Sequence, residues 1–497
     1  MKRAQQLAAP RVRLEERYRG EMKCTAFVSA ALVFAVGFDA QAQTTDWRSH
    51  LVTTVFYEGD SFGTSVVDVY VDGASPDTNF NGQGLNLKWT GAGGVPERPG
   101  YVRFDNIFGD IPMGSFITRA TLRLTASAAS TGKGQLKAGT RGYSNFSESA
   151  STYNNLAGRN NVRGRYFDQL YSKDFMANLS TGSVAEVDVT PAIRAFFDNY
   201  QDSNQGWPNW GIALNVNPPG AAGEPGTASF YDSEYPKAEY RPRLEVEYLP
   251  LSSGYMARAY QPVPAPTAQI MPTAVQDTLI RGQNRDGGTA DLSNKNYGAR
   301  LDTLPVRWSD GPAGQYRGSS SALLRWPGLT MPVPPPGTML EVADALIRLN
   351  ATDYWNVYQD LPCNLEVRAV SRPWSEGWGN GVDVPGATYN SFKRSACDPA
   401  MNAWQVPGGY GAQDSAFLFG ILGVSRARGE IASGSAELAQ LVASWLEGET
   451  NNGLLLRATS NGDFDMLSGN IGSGHLDPYL SAGLIVIFKV QPIPACQ

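Results

Sequence analysis

Ten residues, SRPWSEGWGN, place Arg372, Trp374, Glu376 and Trp378 together. Flat aromatic rings stack on the C–H faces of sugars, while neighbouring polar groups take the hydroxyls. The chemistry these residue types suit is therefore carbohydrate binding. Trp404, in MNAWQVPGGYGAQD, stands in the same half of the chain, and Trp207 and Trp210 form a comparable pair in QGWPNWG. A third aromatic group, Tyr354, Trp355 and Tyr358, lies in TDYWNVYQD. Against each cluster stands ordinary packing. Trp374 fits a core position, whereas Trp378 and Trp207 sit on no periodic strand and are expected to be exposed. The ligand contact is expected at Arg372, Trp378 and Trp404, with the Trp207/Trp210 loop as the alternative. Arg159 and Arg163 are further cations that an acidic glycan would want nearby.

Catalytic signatures are sparse. The chain has two histidines, His50 and His475, so a Ser-His-Asp or Cys-His arrangement would lean on His475 in a Gly-rich loop. Two histidines exclude a multi-His metal site, and there is no CxxC, GxSxG or phosphate-binding Gly loop. Carboxylates are plentiful, but a glycosidase pair is defined by a spacing of roughly 5–9 Å that sequence does not supply.

What must position these residues is written twice. FSESASTYNN begins at Phe146, and WSEGWGNGVDVPGATYNS begins at Trp374. Both read aromatic-Ser-Glu, a spacer, then Thr-Tyr-Asn, which pairs Glu148 with Glu376 and Tyr153 with Tyr389. The primary reading is a repeated corner whose aromatic and Tyr fill a core and whose Glu and Asn satisfy turn amides. The alternative is a pair of ligand sites in which the glutamates accept sugar hydroxyls. Around these corners the halves align in order. YVRFDNI matches ALLRWPGL, SFITRATLRLTA matches TMLEVADALIRLNA, and QLKAGTRGY matches NLEVRAVSR. One helix-like pattern per half follows, VAEVDVTPAIRAFFDNY and AELAQLVASWLEGET, and then the closing strands PRLEVEYL and AGLIVIFK.

Short period-two strands with Gly/Pro punctuation predict an all-β chain of two tandem jelly-roll β-sandwich domains, at 44–250 and 272–490. The Pro-rich span 251–271 reads as a linker. The 497 residues, with 53 Gly and 32 Pro, suit two such units. The second half carries extra loops, the places where function is usually added.

MKCTAFVSAALVFAVGFDAQAQ, from Met22, has a lysine, a short apolar run and Ala-Gln-Ala ending at Ala42, the pattern of a secretory signal at 1–42. The basic stretch before Met22 is either a long n-region or a mis-assigned start, the second being the preferred reading. Residues 1–42 hold seven Lys/Arg and four Asp/Glu, so 34 basic and 43 acidic residues remain, a net of −9. Such a chain is not expected to seek nucleic acid, and no other apolar run is long enough to span a bilayer. Cys363 and Cys397 suit a bridge in an oxidising compartment, though Cys496 could take either partner.

The order Asp-x-Tyr-Val…Pro-Asp-Thr-Asn-Phe, ATLRL, Phe/Trp-Ser-Glu…Thr-Tyr-Asn, Gly-Ile-Ala-Leu, FYDSE and RPRLEVEY resembles the DNRLRE domain, named after disaggregatase-related repeats and related to carbohydrate-binding module family 96. The first half carries nearly every element. The second departs from it, with MLSGNIGSG in place of FYDSE and DPYL in place of RPRL. The resemblance implies a secreted sandwich that binds polysaccharide, acidic alginate-like glycans among the expected ligands, and it does not itself imply catalysis. A polysaccharide lyase or glycoside hydrolase, with its site on the second sandwich or between the two, is the alternative. Jelly-roll binding modules often hold structural calcium, for which Asp72, Asp77 and Asn79 in DGASPDTNFNG, and Asp463 and Asp465 in NGDFD, are ligands of the right type. Turn formation explains both stretches equally well.

Overall fold

The computed structural model describes residues 46–89, 96–131, 135–140, 146–158, 171–174, 179–203, 206, 208–217, 226–261, 275–282, 292–299, 303–310, 317–350, 363–395, 402–424, 430–459, 462–467 and 481–494. The segments 1–42 and 262–271, and Arg159, Arg163, Trp207, Tyr354, Trp355, Tyr358, Cys397, His475 and Cys496, lie outside them.

Alternation builds the strands. In Arg243–Leu249 (RLEVEYL), Leu244, Val246 and Tyr248 are buried while Arg243, Glu245 and Glu247 stay partly exposed. That pattern places one face on a core and leaves the other to water. In the first half, a four-stranded sheet runs in the order Val52–Phe56, Arg243–Leu249, Phe116–Thr125, Val184–Asp188. A five-stranded sheet runs Ser65–Tyr70, Gly100–Asp105, Ile212–Asn217, Gln135–Thr140, Tyr171–Asp174. The neighbours pair antiparallel. Phe56, Leu122 and Val246 from one sheet meet Val102, Leu136 and Leu214 from the other in one buried cluster. This is an all-β sandwich. Helix α1 (Thr190–Gln201), with Pro191 in its first turn, adds Ile193, Phe196 and Phe197 to that core. Each large apolar side chain so buried is worth about 1.5–3 kcal/mol.

The second half repeats this order, with Thr303–Asp310 and Gly462–Leu467 added to its larger sheet. Its four-stranded sheet runs Tyr255–Tyr260, Gly483–Pro492, Thr338–Asn350, Glu430–Gly434. Its larger sheet passes through Ser415–Val424, Cys363–Val370, Leu454–Ala458 and Arg317–Arg325, the last also pairing with Gln276–Arg281. Helix α2 (Ala436–Leu446) takes the place of α1. Ser435 caps it by accepting the Leu438 N–H at 3.2 Å.

One boundary differs from the sequence reading. Tyr255–Tyr260 falls in the span read as linker, yet it is the edge strand of the second sandwich, paired with Leu484–Lys489. It occupies the place Val52–Phe56 holds in the first. The halves also touch within one compact unit, Asp46–Gln497. Trp47 and Leu249 share a buried cluster with Leu346, Ile485 and Ile487. The buried Arg194 of α1 makes two bonds to Glu430, at 3.0 and 3.1 Å, and the Glu430 N–H donates to Asp188 at 3.0 Å. Among the described residues, no helix is long and apolar enough to cross a membrane.

Candidate functional site: two equivalent corners

Each corner is a loop folded over the outer face of the larger sheet. Glu148 Oε1 accepts the N–H of Asp68 at 3.0 Å, and Glu376 Oε1 accepts that of Asp277 at 3.0 Å. Asn79 Nδ2 donates to the carbonyls of Glu148 (2.5 Å) and Ser151 (2.8 Å). Asn296 Nδ2 does the same for Glu376 (2.7 Å) and Ala387 (2.9 Å). Arg103 donates to the Phe146 carbonyl at 2.7 Å with its guanidinium 5.1 Å from that ring, and Arg325 treats Trp374 alike at 3.2 and 4.7 Å. Phe146 and Trp374 are buried; Tyr153 and Tyr389 are half-buried. This shared skeleton puts Phe146 and Trp374 in buried clusters and the two glutamates on strand amides, while Asn79 and Asn296, outside the repeated motif, hold the turn carbonyls in place of Asn154 and Asn390.

Above the skeleton the corners diverge. In the first, one carboxylate oxygen from each of Asp68, Glu148 and Glu234 lies within 4.8 Å of the other two. Asp68 is buried on its strand, and its Oδ2 accepts the Ser233 N–H at 2.8 Å. Glu234 is exposed, and Ser233 Oγ donates to it at 3.0 Å. Burial pushes the Asp68 carboxyl well above its usual range, and the charge of Glu234 adds to the push against the Ser233 bonds. Burial also raises Glu148, with the charges of Glu234 and Glu58 acting in the same direction. Such a trio either shares protons or offers oxygen ligands to a hard cation.

No family model matches the chain, and no curated protein matches it. Among solved structures it is similar to a chain in the structure of the Macrobrachium rosenbergii nodavirus, with 9% identity and a TM-score of 0.15 over 94% of this chain and 97% of that one. A score that low carries no argument.

The second corner presents Trp378, which is 66% exposed. Its mount is rigid. The fully buried Asn296 donates to the Glu376 carbonyl on one side of it and accepts the Gly379 N–H at 2.8 Å on the other. Gly377, at φ +81°, passes so close to Asn296 that a Cβ would stand 2.5 Å from its Oδ1.

The other expected contacts fall elsewhere. Trp404 is buried, with Phe392 5.5 Å away edge-on and its indole N–H given to the Thr388 carbonyl at 2.9 Å. It is core, and its faces are closed to a sugar. Arg372 is partly buried, 3.6 Å from the buried Asp414 and 5.7 Å from the Phe392 ring, so it ties its own segment to the loop that ends at Asp414. Trp210 is half-buried.

Of the aspartates expected to hold calcium, Asp72 and Asp77 are engaged by protein groups. Asp72 is buried, accepting from Arg98 at 2.7 Å and from the Ala74 N–H at 2.9 Å. Asp77 takes the Asn154 amide at 2.7 Å. Asp463 and Asp465 lie on strand Gly462–Leu467, their side chains outside the described residues, as is that of Cys363. Sequence reasoning missed Asp68, Glu234 and Asn296. The signals for two of them were present, as the Glu of FYDSE and the Asn of NKNYG aligned with Asn79.

Proposed function

We propose that the protein is a secreted polysaccharide-binding protein of two DNRLRE-like sandwiches, in which binding rather than catalysis is the primary activity. One observation carries the reading: an indole two-thirds exposed to solvent on a loop clamped at both flanks by a buried asparagine. Burying apolar surface is favourable, so a rigid ring left out in water is a preorganised stacking surface. A second sandwich on the same chain supports avidity for a polymer without any new contact at either site. Calcium is proposed at the first corner, where Asp68, Glu148 and Glu234 each bring one carboxylate oxygen within 4.8 Å of the others.

The test is isothermal titration and pull-down against a panel of neutral and acidic polysaccharides, with reducing-end and unsaturated-product assays alongside. Binding that weakens in Trp378→Ala without a change in melting point supports the reading. Product formation would replace it with the lyase or hydrolase alternative.

A further inference from the structure

We infer that the turn Tyr231–Tyr240 of the first sandwich is a second sugar-stacking platform, selective for neutral glycans. The inference rests on the polysaccharide-binding reading and adds a site and a ligand class to it. In FYDSEYPKAEYRP three tyrosine rings converge. Tyr231 lies 4.1 Å from Tyr235 and 5.2 Å from Tyr240, nearly parallel to the latter at 21°, and Tyr235 and Tyr240 are 6.0 Å apart. All three are half-buried, and none belongs to the apolar clusters of the first sandwich. They shield one another rather than the core, and each keeps some surface open to solvent. The exposed Lys237 ammonium stands 5.5 Å from the Tyr240 ring centre, at the rim.

The turn is held in place before any ligand arrives. Arg241 donates to the Tyr235 carbonyl at 2.8 Å and to the Glu58 carbonyl at 2.9 Å, tying the stack to the neighbouring chain segment. The Tyr240 N–H returns to the Lys237 carbonyl at 3.0 Å. Fixed rings lose little entropy on binding. Their chemistry, apolar faces with phenolic hydroxyls at the edges, fits a pyranose ring with its alternating C–H and O–H surface.

Charge decides the class of glycan. Glu234, between Tyr231 and Tyr235 in sequence, belongs to the carboxylate trio with Asp68 and Glu148. These oxygens accept hydroxyl protons well and repel uronate carboxylates. Arg241, next to Tyr240 in sequence, is committed to two carbonyls. Without bound calcium, a neutral chain meets acceptors and rings here, whereas an acidic, alginate-like chain meets the trio's like charge, which Lys237 at the rim offsets only in part.

The test uses the full chain in a Trp378→Ala background, so that the second corner does not mask the first, with cellohexaose, xylohexaose and oligomannuronate as probes. The expected result is binding of a neutral oligosaccharide that falls about tenfold in Tyr235→Ala/Tyr240→Ala, the loss of two ring contacts. The bound probe is also expected to protect Tyr231, Tyr235 and Tyr240 of the unsubstituted protein from hydroxyl-radical footprinting, a readout that needs no tyrosine variant. Neutral binding with neither effect overturns the platform and leaves the polysaccharide reading standing. Tighter binding of oligomannuronate in the absence of calcium overturns the ligand class. If the unsubstituted protein binds none of the probes and nothing in the wider panel, both readings fall.

Discussion

Glu376 accepts the backbone N–H of Asp277 at 3.0 Å, and the pair repeats, at the same distance, what Glu148 and Asp68 do in the first sandwich. A carboxylate spent on a buried strand amide is a fixture of the fold. Glu376→Ala should therefore lower stability by about 1–3 kcal/mol, the cost of a stranded donor. Glutamine, which keeps an acceptor of the same length, should recover most of it. Differential scanning calorimetry of the four variants, Ala and Gln at each site, checks this. A variant that melts like the parent but no longer binds glycan would make the corner glutamates ligand groups instead.

The first corner predicts a pH dependence of definite sign. Asp68 and Glu148 are both raised in the folded state, so each favours folding when protonated and weighs against it as pH rises through the folded value. Asp68→Asn removes the buried charge while keeping an acceptor for the Ser233 N–H. It should melt above the parent at pH 8, with the gap closing as pH falls toward the ordinary aspartate value of 3.8. Calcium should stabilise the parent at pH 8 and the variant less. A variant that is the less stable of the two at pH 8 without calcium would contradict this.

The contact between the sandwiches predicts what proteolysis does. Cleavage between 262 and 271 leaves strand Tyr255–Tyr260 on the first fragment, paired with Leu484–Lys489 of the second. The fragments should co-elute in size-exclusion chromatography rather than separate as two free domains. Arg194→Met leaves Glu430 buried without its cation, and losing one partner of a buried pair costs about 3–5 kcal/mol. In this variant the cut fragments should separate more readily than those of the parent.

Gly211 and Gly453 mark the same turn of the two sandwiches, at φ +87° and +75°. A Cβ at Gly211 would meet the Phe146 ring at 2.8 Å, and one at Gly453 would meet the Leu324 carbonyl oxygen at 2.0 Å. Alanine at either place adds left-handed backbone strain of about 1–2 kcal/mol to the clash. Chemical denaturation should show Gly453→Ala the more damaging, because its Cβ would stand 2.0 Å from a backbone oxygen, against 2.9 Å for the Val102 carbonyl at Gly211.

Much of this was legible where the signal is local. Alternation in RLEVEYL and the twice-written corner fix strands and repeat, because period two and a short motif need no distant partner. Trp378 is exposed, as its place off any periodic strand suggests. Strand Tyr255–Tyr260 was not legible. YMARAY does not alternate cleanly, and its identity as a strand comes from pairing more than 220 positions away. Trp404 was misjudged because an irregular insertion gives no periodicity to say which ring folds inward; Phe392 and Tyr410 pack beside it. The carboxylate trio joins residues 68, 148 and 234, which only the fold brings together.

The central claim is that an exposed, rigidly mounted indole binds polysaccharide. Titration of the purified protein and of Trp378→Ala with the glycan that binds best in the panel tests it most directly. One stacked ring is worth about 1 kcal/mol or more, so the variant should bind at least about fivefold more weakly while its melting point stays within a degree or so, given that about 1 kcal/mol moves a domain of this size by roughly 2–4 °C. Equal affinity in parent and variant, or lost affinity accompanied by unfolding, would contradict the account.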